Sequence, residues 1–545
     1  MKLPSITATR AVAFISVIAL LGLMAVPLTG LAKAKSDSGF LPFEKSTLVT
    51  PADFIEHAAS QEVDIHELYF ELRPYEGTVS CLMCHEEDGA QMLDSAHFKW
   101  EGKVENVVGV EGMTLGKNQL LNNFCIAVPT NEGRCTMCHT GYGYKDGNYD
   151  FTDPLNIDCL SCHDQSGTYA KAKKTAGGVA DGVDVQVVAA SIRIGSEPTR
   201  KACLFCHKSA GGGDNVKHGD LSSDLIAPAR ENDVHMSADG ANFNCIDCHG
   251  NNHDPKTGDY NHGIAGMPVH SVHEGEMKQC VDCHGSQQTI HRGTGVEDWL
   301  VNETWHENLA CQVCHIPAIA RKKATKTEWY WSKAGDAGRV PAVIPDTGGM
   351  TDYDKMKGEF VWEMNVRPEL RFFNGKWERK FVNVNDKYDS EPIALATPVG
   401  DYTDGMIYPF KKMIGDQPVD LTSKTILVPH LFGLAGGPNP YWVKYDWNLA
   451  LQDAAAVTGQ DYTGDYGFAT TEAFLTVNHE IAPAEMALGA GITPDACMDC
   501  HHGAVDFTAL GWTADPMDGG VRNTTAVATE SSSSLLSVKS APALD

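Results

Sequence analysis

Residues 81–85 read CLMCH, and the pattern returns seven times: CTMCH at 135–139, CLSCH at 159–163, CLFCH at 203–207, CIDCH at 245–249, CVDCH at 280–284, CQVCH at 311–315 and CMDCH at 497–501. In C-x-x-C-H, two thiols form thioether bonds to the vinyl groups of one haem, and the adjacent imidazole becomes an axial ligand of its iron. Paired cysteines also hold zinc, or form disulfides in exported chains. Neither use needs a histidine straight after every pair. Histidine is 22 of 545 residues, so eight such coincidences have a probability on the order of 10^-11, which leaves haem attachment as the reading. The attachment pairs are Cys81/Cys84, Cys135/Cys138, Cys159/Cys162, Cys203/Cys206, Cys245/Cys248, Cys280/Cys283, Cys311/Cys314 and Cys497/Cys500. They predict eight covalently bound haem c groups, with His85, His139, His163, His207, His249, His284, His315 and His501 as proximal ligands. Calcium is neither called for nor excluded.

Seven motifs fall between Cys81 and His315. So short a stretch leaves little room for an ordinary side-chain core around each cofactor, so the haems must supply much of it. The expected fold is a multihaem cytochrome c: mainly short α-helices and irregular loops wrapped round a packed haem array, with little β. The start of the chain reads as a signal peptide over 1–34. Lys2 and Arg10 precede an apolar run, Ala11 to Leu31, and Ala32-Lys33-Ala34 offers a cleavage site. The run is also long enough for an uncleaved membrane anchor. Either way the motif-bearing chain is exported, which suits a periplasmic location. Residues 35–320 form the seven-haem core. Residues 321–480 carry no motif but gather Trp329, Tyr330, Trp331, Trp362, Trp377, Tyr441, Trp442 and Trp447, as a cap over the haems or a packing layer. Residues 481–515 hold the eighth haem, and 516–545 read as a disordered tail.

The net charge of −28 excludes nucleic acid as a partner. It would also repel an anionic substrate unless local basic groups guide it. Arg321, Lys322, Lys323 and Lys326, with Lys411 and Lys412, are expected to form such a patch.

Each motif supplies one axial ligand. Fourteen further histidines are available: 57, 66, 97, 218, 235, 253, 262, 270, 273, 291, 306, 430, 479 and 502. Neutral imidazole is the usual second ligand of electron-transfer haem. Position favours His97, His218, His235, His262, His291, His306 and His479, with His253 and His273 as alternates. A bis-histidine iron is full and only conducts electrons, so catalysis requires one odd site. Two features stand apart: Cys125, the only cysteine outside a motif, and the run Gly211-Gly212-Gly213-Asp214-Asn215-Val216-Lys217-His218.

Around these features the sequence resembles octahaem tetrathionate reductase. The likeness covers nearly the whole chain after residue 34. It runs through LLNNFCIAVP (120–129), GGGDNVKHGDL (211–221), CQVCHIPAIAR (311–321), YPFKKM (408–413), YWVKYDW (441–447) and VNHEIAP (477–483). The resemblance implies that the haem of 135–139 has His139 as its proximal ligand and the amine of Lys217 as its distal one. It places Cys125, Asn122 and Asp214 beside the same iron. If the two segments are helical, Asn122/Cys125 and Asp214/Lys217 each share a face. A lysine amine ligates only when neutral, so burial and metal must displace a proton from a group with a reference pKa near 10.4. Such a ligand can leave by taking the proton back.

The implied activity is reduction of a small inorganic substrate: tetrathionate to thiosulfate, and nitrite or hydroxylamine to ammonium. Electrons would come from a periplasmic or membrane quinol-linked donor. Related octahaem enzymes oxidise hydroxylamine through a tyrosine after the last motif, but no tyrosine follows Tyr466 here. The pentahaem nitrite reductases have one motif ending in lysine, and all eight here end in histidine. A non-catalytic electron conduit, with two strong ligands on every iron, is the remaining alternative.

Overall fold

The computed structural model describes residues 48–250, 262, 264, 277–292, 308–433, 435–490 and 494–522. The chain divides into Met1–Val49 and Thr50–Asp545; of the first unit only Leu48 and Val49 are described. The signal-peptide and anchor readings, and residues 523–545 of the tail, lie outside the described residues. Among those residues no helix is long and apolar enough to cross a membrane.

The second unit opens with two capped helices. Thr50 caps Pro51–Gln61 in a reciprocal box with Asp53, and Asp64 caps Ile65–Leu72 by accepting from the His66 amide at 2.8 Å. The motifs then appear as single turns: Val79–Leu82, Thr136–Cys138, Leu160–His163, Ile246–His249, Cys280–His284, Cys311–His315 and Pro494–Asp499, with only Arg200–His207 reaching eight residues. A helical turn puts cysteines three apart on one face and swings the following histidine beneath them. None of these turns is long enough to be stable alone.

Eleven strands are present among the described residues. β1 (Glu101–Lys103) and β2 (Thr114–Gly116) make a small antiparallel ladder. The other nine are β3 (Thr325–Tyr330), β4 (Tyr353–Asp354), β5 (Gly358–Glu363), β6 (Glu369–Phe373), β7 (Lys376–Arg379), β8 (Ile393–Val399), β9 (Met406–Asp420), β10 (Thr425–Ile426) and β11 (Tyr466–Thr476). They form one mixed sheet in the order β4-β5-β3-β9-β11-β8-β7, with β6 and β10 also paired to β9. This corrects the expectation of little β: the motif-free stretch is a nine-stranded sheet. The sequence hid it because β9 is covered on both faces. Pro409, Gly415 and Pro418 interrupt its pattern, and buried Lys411, Gln417 and Asp420 break its apolar alternation.

The sheet anchors the loops that precede the motifs. Trp329, Trp331, Met413, Val419 and Trp447 pack in one cluster with Leu121, Phe124, Ile126 and Val216. A second cluster joins Val104, Val107 and Leu120 to Trp377, Phe381, Phe410 and Phe474. Each fully buried apolar side chain of this size contributes about 1.5–3 kcal/mol. Polar ties match them: Trp331 Nε1 donates to Phe124 O at 2.8 Å, Asn123 Nδ2 to Met413 O at 2.8 Å, and Leu121 N to Lys380 O at 3.0 Å.

Candidate functional site

Six motif histidines each face a second histidine. The ring centres are 6.0 Å apart for His85–His66, 6.2 Å for His207–His97, 6.3 Å for His163–His262, 6.0 Å for His249–His479, 5.8 Å for His284–His235 and 6.3 Å for His315–His291. An iron with imidazole nitrogens at about 2 Å on both sides, each about 1.1 Å ahead of its ring centre, sets ring centres about 6 Å apart. The spacing therefore fits one axially ligated iron per pair. The Nδ1 atoms of His97 and His262 are buried without a hydrogen-bond partner.

Neighbours fix several of the rings. His85 Nδ1 lies 2.8 Å from Asp88, His291 Nδ1 2.9 Å from Gln287 O, and His479 Nδ1 3.2 Å from Asp220. Each contact leaves the far nitrogen for a metal. Burial pulls His207 down to about 3 and His163 to about 4, so both rings are neutral and ready to ligate. Burial also pulls on His479, but the hydrogen bond and charge of Asp220 outweigh it and raise its pKa.

Of the histidines favoured by position, His97, His235, His262, His291 and His479 stand in these pairs. His218 faces no second histidine ring among the described residues. His306, His253, His270 and His273 lie outside the described residues. His66 was missed because it precedes the first motif. Its local signal was the cap: Asp64, which caps the helix, also lies 3.4 Å from His66 Nδ1. The pairings do not follow the sequence. His97 sits twelve residues after His85 yet faces His207.

Two motif histidines face no second histidine among the described residues. His501 stacks on Phe507 at 5.0 Å, with Nδ1 2.6 Å from Asp515. His139 is enclosed by Phe98, Trp100, Tyr144 and Tyr149, with centroids 5.1–5.4 Å away. Its Nε2 meets Phe98 O at 2.5 Å, and its Nδ1 is buried beside the Gly141 backbone. Burial lowers its pKa to about 3.

The motif thiols are not equally enclosed. Cysteines of different motifs are neighbours in pairs: Cys81 with Cys159, Cys138 with Cys206, Cys203 with Cys245, and Cys280 with Cys311. Motifs distant in sequence are therefore brought side by side. Cys283 stands outside these pairs, in keeping with a stretch too short to build a side-chain core around every cofactor. It is exposed, as are Cys84, Cys248 and Cys280, and its nearest link to another motif is electrostatic, to Cys248. The reason is local: Cys283 lies on the single turn Cys280–His284, whose residues are exposed throughout. Protein side chains alone therefore do not enclose this thiol. Its assignment to haem attachment rests on the motif, not on a packed protein site.

The Cys125 and Lys217 loops meet beside the second motif. Gly211 (φ +79) lies so close to Phe124 and Val216 that a Cβ would sit 3.1 and 2.9 Å from them; the Gly212 (φ +95) Cβ position is 3.8 Å from Cys125 Sγ. Only glycine takes these backbone angles without strain in so tight a gap. Burial raises the Cys125 thiol, and Cys125 in turn acts on Cys135 of the second motif. Burial, then the charges of Lys117 and Arg379, bring Lys217 down to about 7.

Neither segment is helical, which corrects that condition: 122–125 and 214–217 are turns and bends. Asn122 shapes its turn, accepting from Phe124 N at 3.0 Å and donating to Ile126 O at 2.9 Å. Asp214 accepts from Ser223 N at 2.8 Å and Ser223 Oγ at 2.5 Å, and no ion pair joins it to Lys217 among the described residues. Both polar residues act on the loop shape.

The expected basic patch is dispersed. Lys412 pairs with Glu472 at 2.7 Å and Glu369 at 3.6 Å, on the side of β9 opposite to Lys411. Arg321 binds backbone carbonyls of Glu231 and Asn232. Lys326 is buried over the rings of Phe360 (3.1 Å) and Trp329 (3.8 Å), and burial pushes its pKa well down. Lys322 and Lys323 alone remain exposed. Lys117 and Arg379 instead provide positive charge at Lys217. Arg379 lies 4.6 Å over Trp377 and has a buried Nε without a partner.

A crystal structure of an octahaem cytochrome c from Shewanella oneidensis matches with a TM-score of 0.70 and 36% identity, covering 83% of this chain and 98% of that one. This chain belongs to the octahaem cytochromes c. It is a redox protein carrying covalently bound haem c. The family description "Cytochrome c bacterial" matches residues 326–504. An uncharacterized protein of Archaeoglobus fulgidus is 28% identical over 227 residues, spanning 33% of this chain and 75% of its own. Among the described residues, two motif histidines of this cytochrome, His139 and His501, stand apart from the six pairs.

Proposed function

We propose that this cytochrome is an exported, periplasmic multihaem reductase of small inorganic substrates. The sixteen motif cysteines would hold eight haems. The six histidine pairs described above would hold six of them. His139 and the amine of Lys217 would hold the haem of 135–139. The carrying observation is at His139: it faces no second histidine among the described residues, it lies in an aromatic enclosure, and Cys125 of the loops that meet there acts on Cys135 of the same motif. Bound haems supply one-electron transfer and, at an exchangeable iron, a site for substrate.

The chain's own residues do the rest. Lys217, at about 7, gives up or regains a proton near neutral pH, so its amine can bind or withdraw. Lys117 and Arg379 lend positive charge to a chain of net charge −28 and favour an anion there. Cys125 sits beside the same motif as a contact for the substrate. The neighbouring motif thiols would bring bound haems close to one another, which suits delivery of several electrons. Tetrathionate requires two electrons to give two thiosulfates; nitrite requires six to give ammonium. The donor is a periplasmic or membrane quinol-linked protein.

Turnover of the purified holoprotein with a reduced dye tests this, with tetrathionate, nitrite and hydroxylamine compared side by side. Lys217→Met should change the spectrum of one haem and alter turnover by about 100-fold or more. An unchanged spectrum and unchanged rates would refute the assignment in favour of an electron conduit.

A further inference from the structure

Lys411 lies on the long central strand β9, opposite Leu475 of β11, and is 1% exposed. Its amine reaches three oxygens: Val216 O at 2.8 Å, Lys217 O at 2.9 Å and Thr325 Oγ1 at 2.6 Å. Thr325 has already spent its hydroxyl hydrogen on Asn215 O at 2.7 Å, so its oxygen can only accept. Three acceptors need three N–H groups, and only the ammonium form of lysine has three. Burial pushes this lysine's pKa well down, while Asp220 and Glu363 pull it back up; the complete set of acceptors argues that the proton stays.

The clamp lands on one short segment. Asn215 Nδ2 donates to Lys323 O at 2.7 Å, and Ala320 N donates to Gly219 O at 2.7 Å. Asp220 accepts from the amides of Asn478 and His479 at 2.8 and 3.0 Å. Residues 215–220 are thus fastened to the sheet and its neighbours, whereas the Gly212 amide bonds only within its own turn, to Ser209 O at 3.0 Å.

We propose that Lys411 is a positioning residue for Lys217. Its ammonium holds the two peptide carbonyls flanking the Lys217 backbone. The amine of Lys217 is therefore placed by the sheet, and its binding and withdrawal are rotations of one side chain over a fixed backbone. This rests on the assignment of Lys217 as the distal ligand of the second iron. A misplacement on the order of 1 Å at such a ligand costs about 100-fold in rate.

The test uses full-length, haem-loaded protein and four variants: Lys411→Met, Lys411→Arg, Thr325→Val and Lys217→Met. The readouts are haem content, thermal midpoint, steady-state rates, and the low-temperature paramagnetic signal that separates a lysine–histidine haem from bis-histidine haems. Lys411→Met should keep the full haem content and the bis-histidine signals. It should lose most of the lysine–histidine signal and lower kcat/KM about 10- to 100-fold, and Lys411→Arg should restore part of both. A lowered thermal midpoint with the lysine–histidine signal intact would mean a merely structural lysine and overturn the proposal. If Lys411→Met does not mature, Thr325→Val decides: a signal and rates within about twofold of the unaltered protein overturn it, and a partial loss of the signal supports it. Lys217→Met separates the two claims. If it leaves the signal unchanged, the ligand assignment fails; if it removes the signal and the Lys411 and Thr325 variants do not, only the positioning role fails.

Discussion

The motif-bearing region and the sheet solve the same problem by opposite means. In 321–480 the backbone satisfies itself in strands of up to fifteen residues, and stacked indoles such as Trp329 and Trp331, 5.1 Å apart, fill the interior. In the motif region the described helices are mostly a single turn. There, buried polar groups and cofactors stand in for an apolar core. At Lys171 the amine is 2.8 Å from Asp158, with both side chains at or below 1% exposure. Asp158 also accepts from Tyr142 and Tyr169 at 2.7 Å, and Lys171 donates to His139 O at 2.5 Å. A chain that recruits large cofactors need not build a core around them, but it must then hold its loops from elsewhere.

Hydrogen exchange on protein made without haem attachment should show the largest contrast. Amides of β9 and β11 should exchange at least about 100-fold more slowly than those of the motif turns. Equal protection in the two regions would erase the distinction. Next in size is Lys171→Met, which strands Asp158 in the interior; breaking a buried pair on one side costs about 3–5 kcal/mol, read as denaturant stability of the holoprotein. A loss below about 1 kcal/mol would show that the tyrosines alone satisfy Asp158.

Glu132 provides a smaller, pH-dependent effect in the same region. It is 6% exposed, and one carboxylate oxygen has no partner; burial raises its pKa from 4.5 to about 6. A raised carboxyl stabilises the folded state when protonated. That contribution is complete below about pH 4.5 and disappears as pH rises through about 6. Glu132→Gln should therefore gain about 1–2 kcal/mol over the unaltered protein near neutral pH and nothing near pH 4. Melting curves at the two pH values check the direction. The smallest effect belongs to the sheet region's surface: Lys387 and Asp461, 3.2 Å apart and more than half exposed, should lose less than about 1 kcal/mol on Lys387→Ala.

Much of the cofactor chemistry was legible because it is written in contiguous residues. The motifs name their own cysteines and histidines. They do not say how enclosed each thiol will be, and the exposed Cys283 reads in sequence no differently from the half-buried Cys314. Five of the histidines favoured by position face a motif histidine, yet position could not say which motif each would face, since that depends on the tertiary path. His66 escaped because it lies before the first motif. Cys125 and Lys217 stand out as oddities, and the family likeness joins them. Asn122 and Asp214 carry chemistry in that likeness, but their hydrogen bonds shape turns, a role that sequence spacing does not separate from catalysis. The sheet was illegible for a different reason. Lys411, Gln417 and Asp420 look like surface residues, and only their partners in distant loops make them interior ones.

The register of β9 sets a dimension of the site. Lys411 grips the backbone of Lys217, and Gln417 grips Asn122 O in the turn that carries Cys125. The two anchors are six residues apart on a strand without a bulge against β11, so they share a face and stand about 20 Å apart along it. The strand therefore acts as a measuring rod between the two loops. Removing one residue between the anchors would turn one of them to the opposite face and pull the loops out of register, whereas removing two would shorten the span with both still facing inward. Along this strand, relatives with wider or narrower substrate sites should differ in length only by even numbers of residues.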